Sequence, residues 1–127
     1  MMLQNMLLVF IGGGLGSVLR YILSKQLNPV FENFFLGTVT VNIVGSLLIG
    51  FFIGMELRYL LNKPYLLLLV TGFCGGFTTF STFALENYLF IKEGQFTSVL
   101  LNIALSLILG IISVVLGFYL AKQLYNT

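Results

Sequence analysis

Four apolar runs of bilayer length, joined by very short links, leave this chain few ways to fold. They extend from about Leu3 to Leu23, Phe34 to Leu57, Tyr65 to Phe90 and Phe96 to Leu120. Each is close to the ~20 residues that an α-helix needs to cross the hydrocarbon core. Only 8% of the residues are charged, against roughly 25% in a soluble domain. The chain therefore reads as an all-α membrane protein, a single four-helix transmembrane domain over residues 1–127 with no room for a separate soluble domain. Asn28-Pro29, Asn62-Lys63-Pro64 and Lys92-Glu93-Gly94 mark the turns. Links this short make each span antiparallel to the one before it. The opening MMLQNMLLVF has no basic n-region, so the first run is expected to remain as a helix.

The third run is not a plain spanning helix. Its middle, Thr71 to Phe83, reads TGFCGGFTTFSTF. Gly75-Gly76 weakens a helix by up to about 1 kcal/mol per residue relative to alanine. Thr78, Thr79, Ser81 and Thr82 offer hydroxyls to freed backbone groups or to a ligand. Irregular backbone inside a bilayer survives only where protein or a water-filled cavity satisfies it. The stretch is thus expected to be a broken helix lining a site near the midplane, where ion sites of membrane proteins usually lie.

The residue inventory narrows the chemistry. There is no histidine, no tryptophan and a single cysteine, Cys74, and all four acids are glutamates. One chain therefore supplies no His/Cys zinc or haem site and no Ser-His-Asp triad. The chain is not expected to be an enzyme. A net charge of +2 is too small and scattered for a nucleic-acid partner. The loop cations are balanced: Arg58, Lys63 and Lys122 reach one side of the membrane, and Arg20, Lys25 and Lys92 the other. Orientation follows the Lys/Arg bias of the loops, and here the bias vanishes. Insertion in both orientations, with two opposed copies pairing about an axis in the membrane plane, follows from that balance. A weakly biased chain oriented by a partner or an insertase is the alternative.

Helix faces are marked by small residues. Gly12, Gly16 and Arg20 recur at i+4, Gly50 and Gly54 form a GxxxG pair, and Asn102, Ser106, Gly110, Ser113 and Gly117 make a stripe. Small residues allow close helix approach, and polar ones bond across the contact. Thr38, Asn42 and Ser46 share a face of span two. Asn42 reads either as interhelical glue or as a hydrogen-bond donor to an ion. Phe80 and Phe83 share a face if the helix resumes. They are core or lipid contacts, or they turn ring edges, which are positive, toward an anion. Glu86 is the acid within reach of the interior; Glu32, Glu56 and Glu93 sit at span ends. Arg20 either snorkels to the interface or holds anions at a pore mouth.

Three motifs carry a resemblance: GGGLGSVLRY at Gly12–Tyr21, GTVTVNIVGSLLIG at Gly37–Gly50 and GFCGGFTTFSTF at Gly72–Phe83. With the four-span length, they make the chain resemble the bacterial Fluc/CrcB-type fluoride channels over essentially its whole extent. The resemblance implies passive fluoride export across the bacterial cell membrane by a dual-topology antiparallel homodimer with two pores. It also implies a central structural sodium ion. Asn42 matches the family's pore asparagine, and Phe80 and Phe83 its aromatic box. Ser81, Thr82 and Glu86 match its polar lining on span three, and Thr38 a pore-facing hydroxyl. Arg20 matches a basic residue near the vestibule, and Ser106 a serine of the span-four track. Gly75 and Thr78 match the positions whose carbonyls hold sodium. Span four departs from the pattern, because Asn102 and Gly110 replace other polar groups there. The rival readings are a small four-helix multidrug or guanidinium exporter, which would resemble a carrier with an acid in its first helix, and a structural subunit of a membrane complex. Span one here has no acid.

Overall fold

The computed structural model of the chain describes residues 1–30 and 34–126, so the expectation for Glu32 lies outside the described residues. The described part is all-helical, with four stretches long and apolar enough to cross a membrane: Met2–Val30, Leu36–Glu56, Lys63–Lys92 and Phe96–Leu124. They run past most of the expected ends. Residues such as Ser24, Lys25 and Leu27 are ordinary helix formers, and a helix does not stop where hydrophobicity does.

Helix α1 covers Met2–Leu27 and passes into a short 3₁₀ turn at Asn28–Val30. Asn28 does more than break the chain. Its Oδ1 accepts a 2.7 Å bond from the Gly37 N–H, so it satisfies one of the open amides at the start of α2, Leu36–Glu56. Beyond α2, Tyr59 takes a left-handed conformation at φ 59°, which lets Leu60 N–H reach back to the Met55 carbonyl at 3.0 Å. The third span opens with α3, Lys63–Leu66, and Pro64 stands in its first turn, where a missing N–H costs nothing. Wider π-type turns follow at Leu67–Cys74, then α4 at Gly75–Phe77 and α5 at Ser81–Lys92. Gly94, at φ 73°, turns the chain into α6, Phe96–Tyr125.

The break is real but displaced from the glycine pair. Gly75 and Gly76 are helical, and helical geometry is lost at Thr78, where ψ is 157°. The glycines serve another purpose: a Cβ on Gly76 would collide with the Gly13 backbone of α1. Close approach, not weakness of the helix, explains this Gly76 contact.

Two helix pairs build the scaffold. Span three lies against α1, and α2 lies most extensively along α6. In the first pair a Cβ on Gly12 would strike the Leu68 carbonyl oxygen, and one on Gly16 the Phe73 carbonyl oxygen. In the second, a Cβ on Gly50 would strike the Val114 carbonyl, and one on Gly117 the Leu47 carbonyl. Gly12, Gly16, Gly50 and Gly117 of the stripes read from spacing are therefore backbone contacts, whereas Gly54 meets Ala121 and Phe118 and Gly110 meets the Ser46 side chain. The α2–α6 pair is parallel, with Ser46 beside Gly110 and Gly50 beside Val114. Buried side chains are few, among them Val39, Val41, Cys74, Phe77, Phe90 and Ala121. The outward faces are apolar, as lipid demands. Arg58 and Lys122 line one shared cavity at an end of the bundle, which matches their expected placement on one side of the membrane.

Candidate functional site

The break strips hydrogen bonds from the backbone of span three, and side chains of α1 and α2 replace them. From α1, Arg20 Nε donates to the Gly76 carbonyl at 3.0 Å and Ser17 Oγ to the same oxygen at 3.3 Å. From α2, Asn42 Nδ2 donates to the Thr79 carbonyl at 3.0 Å, and the Thr79 N–H donates to Asn42 Oδ1 at 2.8 Å. Those two bonds fix the orientation of the Asn42 amide, since each backbone partner accepts only one arrangement. The Thr79 hydroxyl accepts from the Thr82 N–H at 3.2 Å and donates to Thr82 Oγ1 at 3.1 Å. It thereby caps the start of α5. Thr78 Oγ1 donates back to the Cys74 carbonyl at 2.9 Å, and its methyl fills the space left by the absent Cβ of Gly45.

The carbonyls of Gly75 and Thr78 are among those that lose their helical donors. The amide four residues beyond Gly75 is that of Thr79, and it is taken by Asn42. The amide four residues beyond Thr78 is that of Thr82, and it is taken by the Thr79 hydroxyl. The Gly75 and Thr78 carbonyls are thus without the amides that a continuous helix would give them. No cluster of three or more His, Cys, Asp or Glu exists among the described residues.

Beside the break lies a cavity of about 290 Å³, lined by Asn42, Ser46, Thr78, Thr79, Phe80, Phe83 and Ser106 together with Ile49 and Leu107. None of these residues is charged. The rings of Phe80 and Phe83 are tilted at 43° with centroids 6.0 Å apart. Phe80 is 79% exposed, so the cavity opens at the surface of the single chain.

The structure brings together Asn42, Phe80, Phe83, Ser106 and the Thr78 side chain. It places the other expected residues elsewhere. Thr38 and Glu86 are buried and bonded to each other, with the Thr38 hydroxyl donating to Glu86 Oε1. Ser81 is exposed, 3.5 Å from the Thr79 hydroxyl. Thr82 is tied to Thr79. Arg20 is not part of the cavity lining and holds the break from the α1 side. The backbone of Thr79 is the functional element that sequence reasoning missed. The signal was available: an asparagine in mid-span carries both amide donors and a carbonyl acceptor, the complement of a peptide group freed from a helix.

The family model described as CrcB-like protein, Camphor Resistance (CrcB), matches residues 7–118. The fluoride-specific ion channel FluC of Serratia proteamaculans is 44% identical over 120 residues, 94% of each chain. The protein of the same name from Bacteroides fragilis is 42% identical over 125 residues, 95% of this chain and 98% of its own. That from Gloeothece citriformis is 44% identical over 120 residues, 94% of this chain and 98% of its own. On a match spanning all four membrane helices, this chain belongs to the CrcB family.

Proposed function

We infer that this chain is a fluoride-selective channel that lets the anion leave the cell down its gradient. The observation that carries the reading is the uncharged cavity at the break, built on the Asn42–Thr79 clamp and walled by Phe80 and Phe83. Relatives at 42–44% identity bear the name fluoride-specific ion channel.

The chemistry of the lining suits a small, strongly hydrated anion. Such an ion enters only if protein donors replace the water it sheds. The clamp uses one amide hydrogen of Asn42, which leaves the second for the ion. Ser46 and Ser106 add hydroxyls. Phenylalanine edges add weakly positive hydrogens. No lysine or arginine lines the cavity; a fixed cation there would hold the anion too tightly, and conduction needs sites that release. Thr38 and Glu86, paired with each other beyond the cavity, and Ser81 and Thr82 at the start of α5 offer further polar groups for the ion's route outside the cavity lining, and Arg20 holds the Gly76 carbonyl beside the break.

Two antiparallel copies complete the site and give two pores. The balanced loop cations support this, as do the open side of the cavity and the exposure of Phe80. In that arrangement the Gly75 and Thr78 carbonyls of both copies would hold one sodium ion, which when bound supplies the positive charge that four bare carbonyls lack. Within each chain, Asn42 takes the Thr79 N–H that a continuous helix would give to the Gly75 carbonyl, and the Thr79 hydroxyl takes the Thr82 N–H that it would give to the Thr78 carbonyl.

Efflux from liposomes containing only the purified protein tests the reading. Fluoride and chloride electrodes are run side by side with no imposed proton gradient. Rapid fluoride release with little chloride release is expected. No fluoride release from folded, inserted protein would sink it, and an exporter or complex-subunit role would take its place.

A further inference from the structure

From Ser106 on the cavity wall, a polar cluster that the clamp and the phenylalanines do not use extends one turn beyond the cavity. The side chains of Asn102, Asn87, Glu86 and Ser106 each contain a buried polar atom without a hydrogen-bond partner. The Asn102 amide is fully buried, and neither its oxygen nor its nitrogen is bonded. Helix register places these groups together. Ser46 stands beside Gly110 in the parallel α2–α6 pair, so two turns earlier Thr38 stands beside Asn102. Phe83 and Ser106 share the cavity wall, so one turn along the antiparallel α5–α6 pair brings Asn87 beside Asn102. Thr38 is bonded to Glu86, which closes the group.

The atoms specify their ligand. The open acceptors are Glu86 Oε2, Asn87 Oδ1 and Asn102 Oδ1; the open donors are the Asn102 Nδ2 hydrogens and the Ser106 hydroxyl. A bare anion is repelled by the three open oxygens. A bare cation leaves the Asn102 hydrogens unmatched. Water, which donates and accepts, fits a mixed set and is the usual occupant of buried polar sites.

We propose that Asn102, with Glu86, Asn87 and Ser106, forms an internal water-binding site that rehydrates the anion as it leaves the Asn42–phenylalanine cavity. The proposal rests on the channel reading for its role, not for the water. The packing around these atoms gives water no opening in this conformation, so uptake requires a small outward swing of the Asn102 or Glu86 side chain. The unbonded polar atoms favour that swing.

Two measurements test it. The first reads water access alone. Asn102→Cys and Ser106→Cys are made in a Cys74→Ala background, and silver ion, which reaches thiols only through water, is added to the folded protein. Silver adducts by mass spectrometry are expected at both positions; none at either overturns the site, whether or not the protein carries fluoride. The second compares Asn102→Leu with Asn102→Ser. Removing an unbonded buried amide should leave Tm unchanged or raise it, while Asn102→Leu slows fluoride efflux about tenfold and Asn102→Ser restores most of it. A clear fall in Tm for Asn102→Leu would make the residue structural glue, and wild-type efflux would remove it from the ion path. If the two cysteine variants take silver yet the wild-type protein releases no fluoride, the channel reading fails and the water site stands. A crystallographic peak at Asn102 that gains density when thallium replaces sodium would assign a cation and overturn the water.

Discussion

The side chain of Asn42 and the backbone of Thr79 are joined as two peptide groups would be, by one bond of 3.0 Å and one of 2.8 Å in opposite senses. The residues lie far apart in the chain, on α2 and in the break of span three. The pair explains how a peptide can leave helical geometry in mid-membrane without orphaning its N–H and C=O. It also places a polar amide at the cavity wall with one hydrogen unused. Asn42→Leu therefore acts on stability and on transport together. Each backbone group left unbonded costs about 1–3 kcal/mol. Loss of both bonds should lower unfolding free energy by roughly 2–6 kcal/mol, read by denaturant titration in detergent. A fall no larger than that of an outward-facing control such as Val44→Ala would mean that water or another side chain replaces the clamp.

The glycines of α1 make opposite predictions. A methyl at Gly16 meets the Phe73 carbonyl and the Phe77 nitrogen, whereas one at Gly14 meets nothing within 4 Å. Gly16→Ala should destabilise by at least the ~1–3 kcal/mol typical of overpacking. Gly14→Ala should be neutral or stabilise by roughly 0.5–1 kcal/mol through helix propensity. Thermal unfolding of the two variants side by side separates close approach from a general need for glycine.

Phe80 and Phe83 face the cavity and each other, and Phe80 is largely exposed on the single chain. Replacing either by isoleucine keeps apolar bulk and removes the ring edge. Fluoride efflux should fall sharply in Phe80→Ile and in Phe83→Ile, with size-exclusion profiles unchanged. Near-normal efflux in both would take the rings out of the mechanism.

Thr38 supplies the bond that holds Glu86 Oε1 inside the bundle. Thr38→Val keeps the shape and deletes the donor, so the protein should lose about 1–3 kcal/mol. Thr38→Ser retains the hydroxyl and should recover most of that loss. Equal stabilities for the two variants would show that the carboxylate finds another donor.

If sodium binds the Gly75 and Thr78 carbonyls, stability must follow its concentration, because a ligand that binds only the folded state stabilises by mass action. Exchange of sodium for a bulky organic cation should lower Tm, and Tm should climb again as sodium is returned. A Tm that ignores sodium across the whole titration would remove the ion from this reading.

Much of the architecture was legible because it depends on local sequence. Runs of Leu, Ile, Val and Phe long enough to cross a bilayer announce themselves without knowledge of their neighbours. Asn28-Pro29 and Gly94 marked turns for reasons of backbone conformation alone. The hydroxyl-rich stretch at Thr78–Thr82 announced a break, and helical geometry is lost there, at Thr78. Gly75-Gly76 looked like the weak point because glycine lowers helix propensity, but packing against Gly13 overrode propensity. Arg20 was read as an interfacial cation or an anion holder, and its bond to the Gly76 carbonyl was not visible. No property of Arg20 or of its own helix says which carbonyl it will meet.

The sequence by itself determined that this chain lives in a bilayer as four antiparallel helices and that the third is interrupted. Both follow from free energies of transfer and of backbone satisfaction that each segment carries alone. Only the tertiary structure decided that Asn42 would clamp Thr79, that Arg20 would hold Gly76, and that Thr38 and Glu86 would pair away from the cavity. Those outcomes depend on the rotation and register of one helix against another. Register is set where glycines bring backbones into contact, and a shift of one residue would turn each of these side chains by about 100° toward a different neighbour.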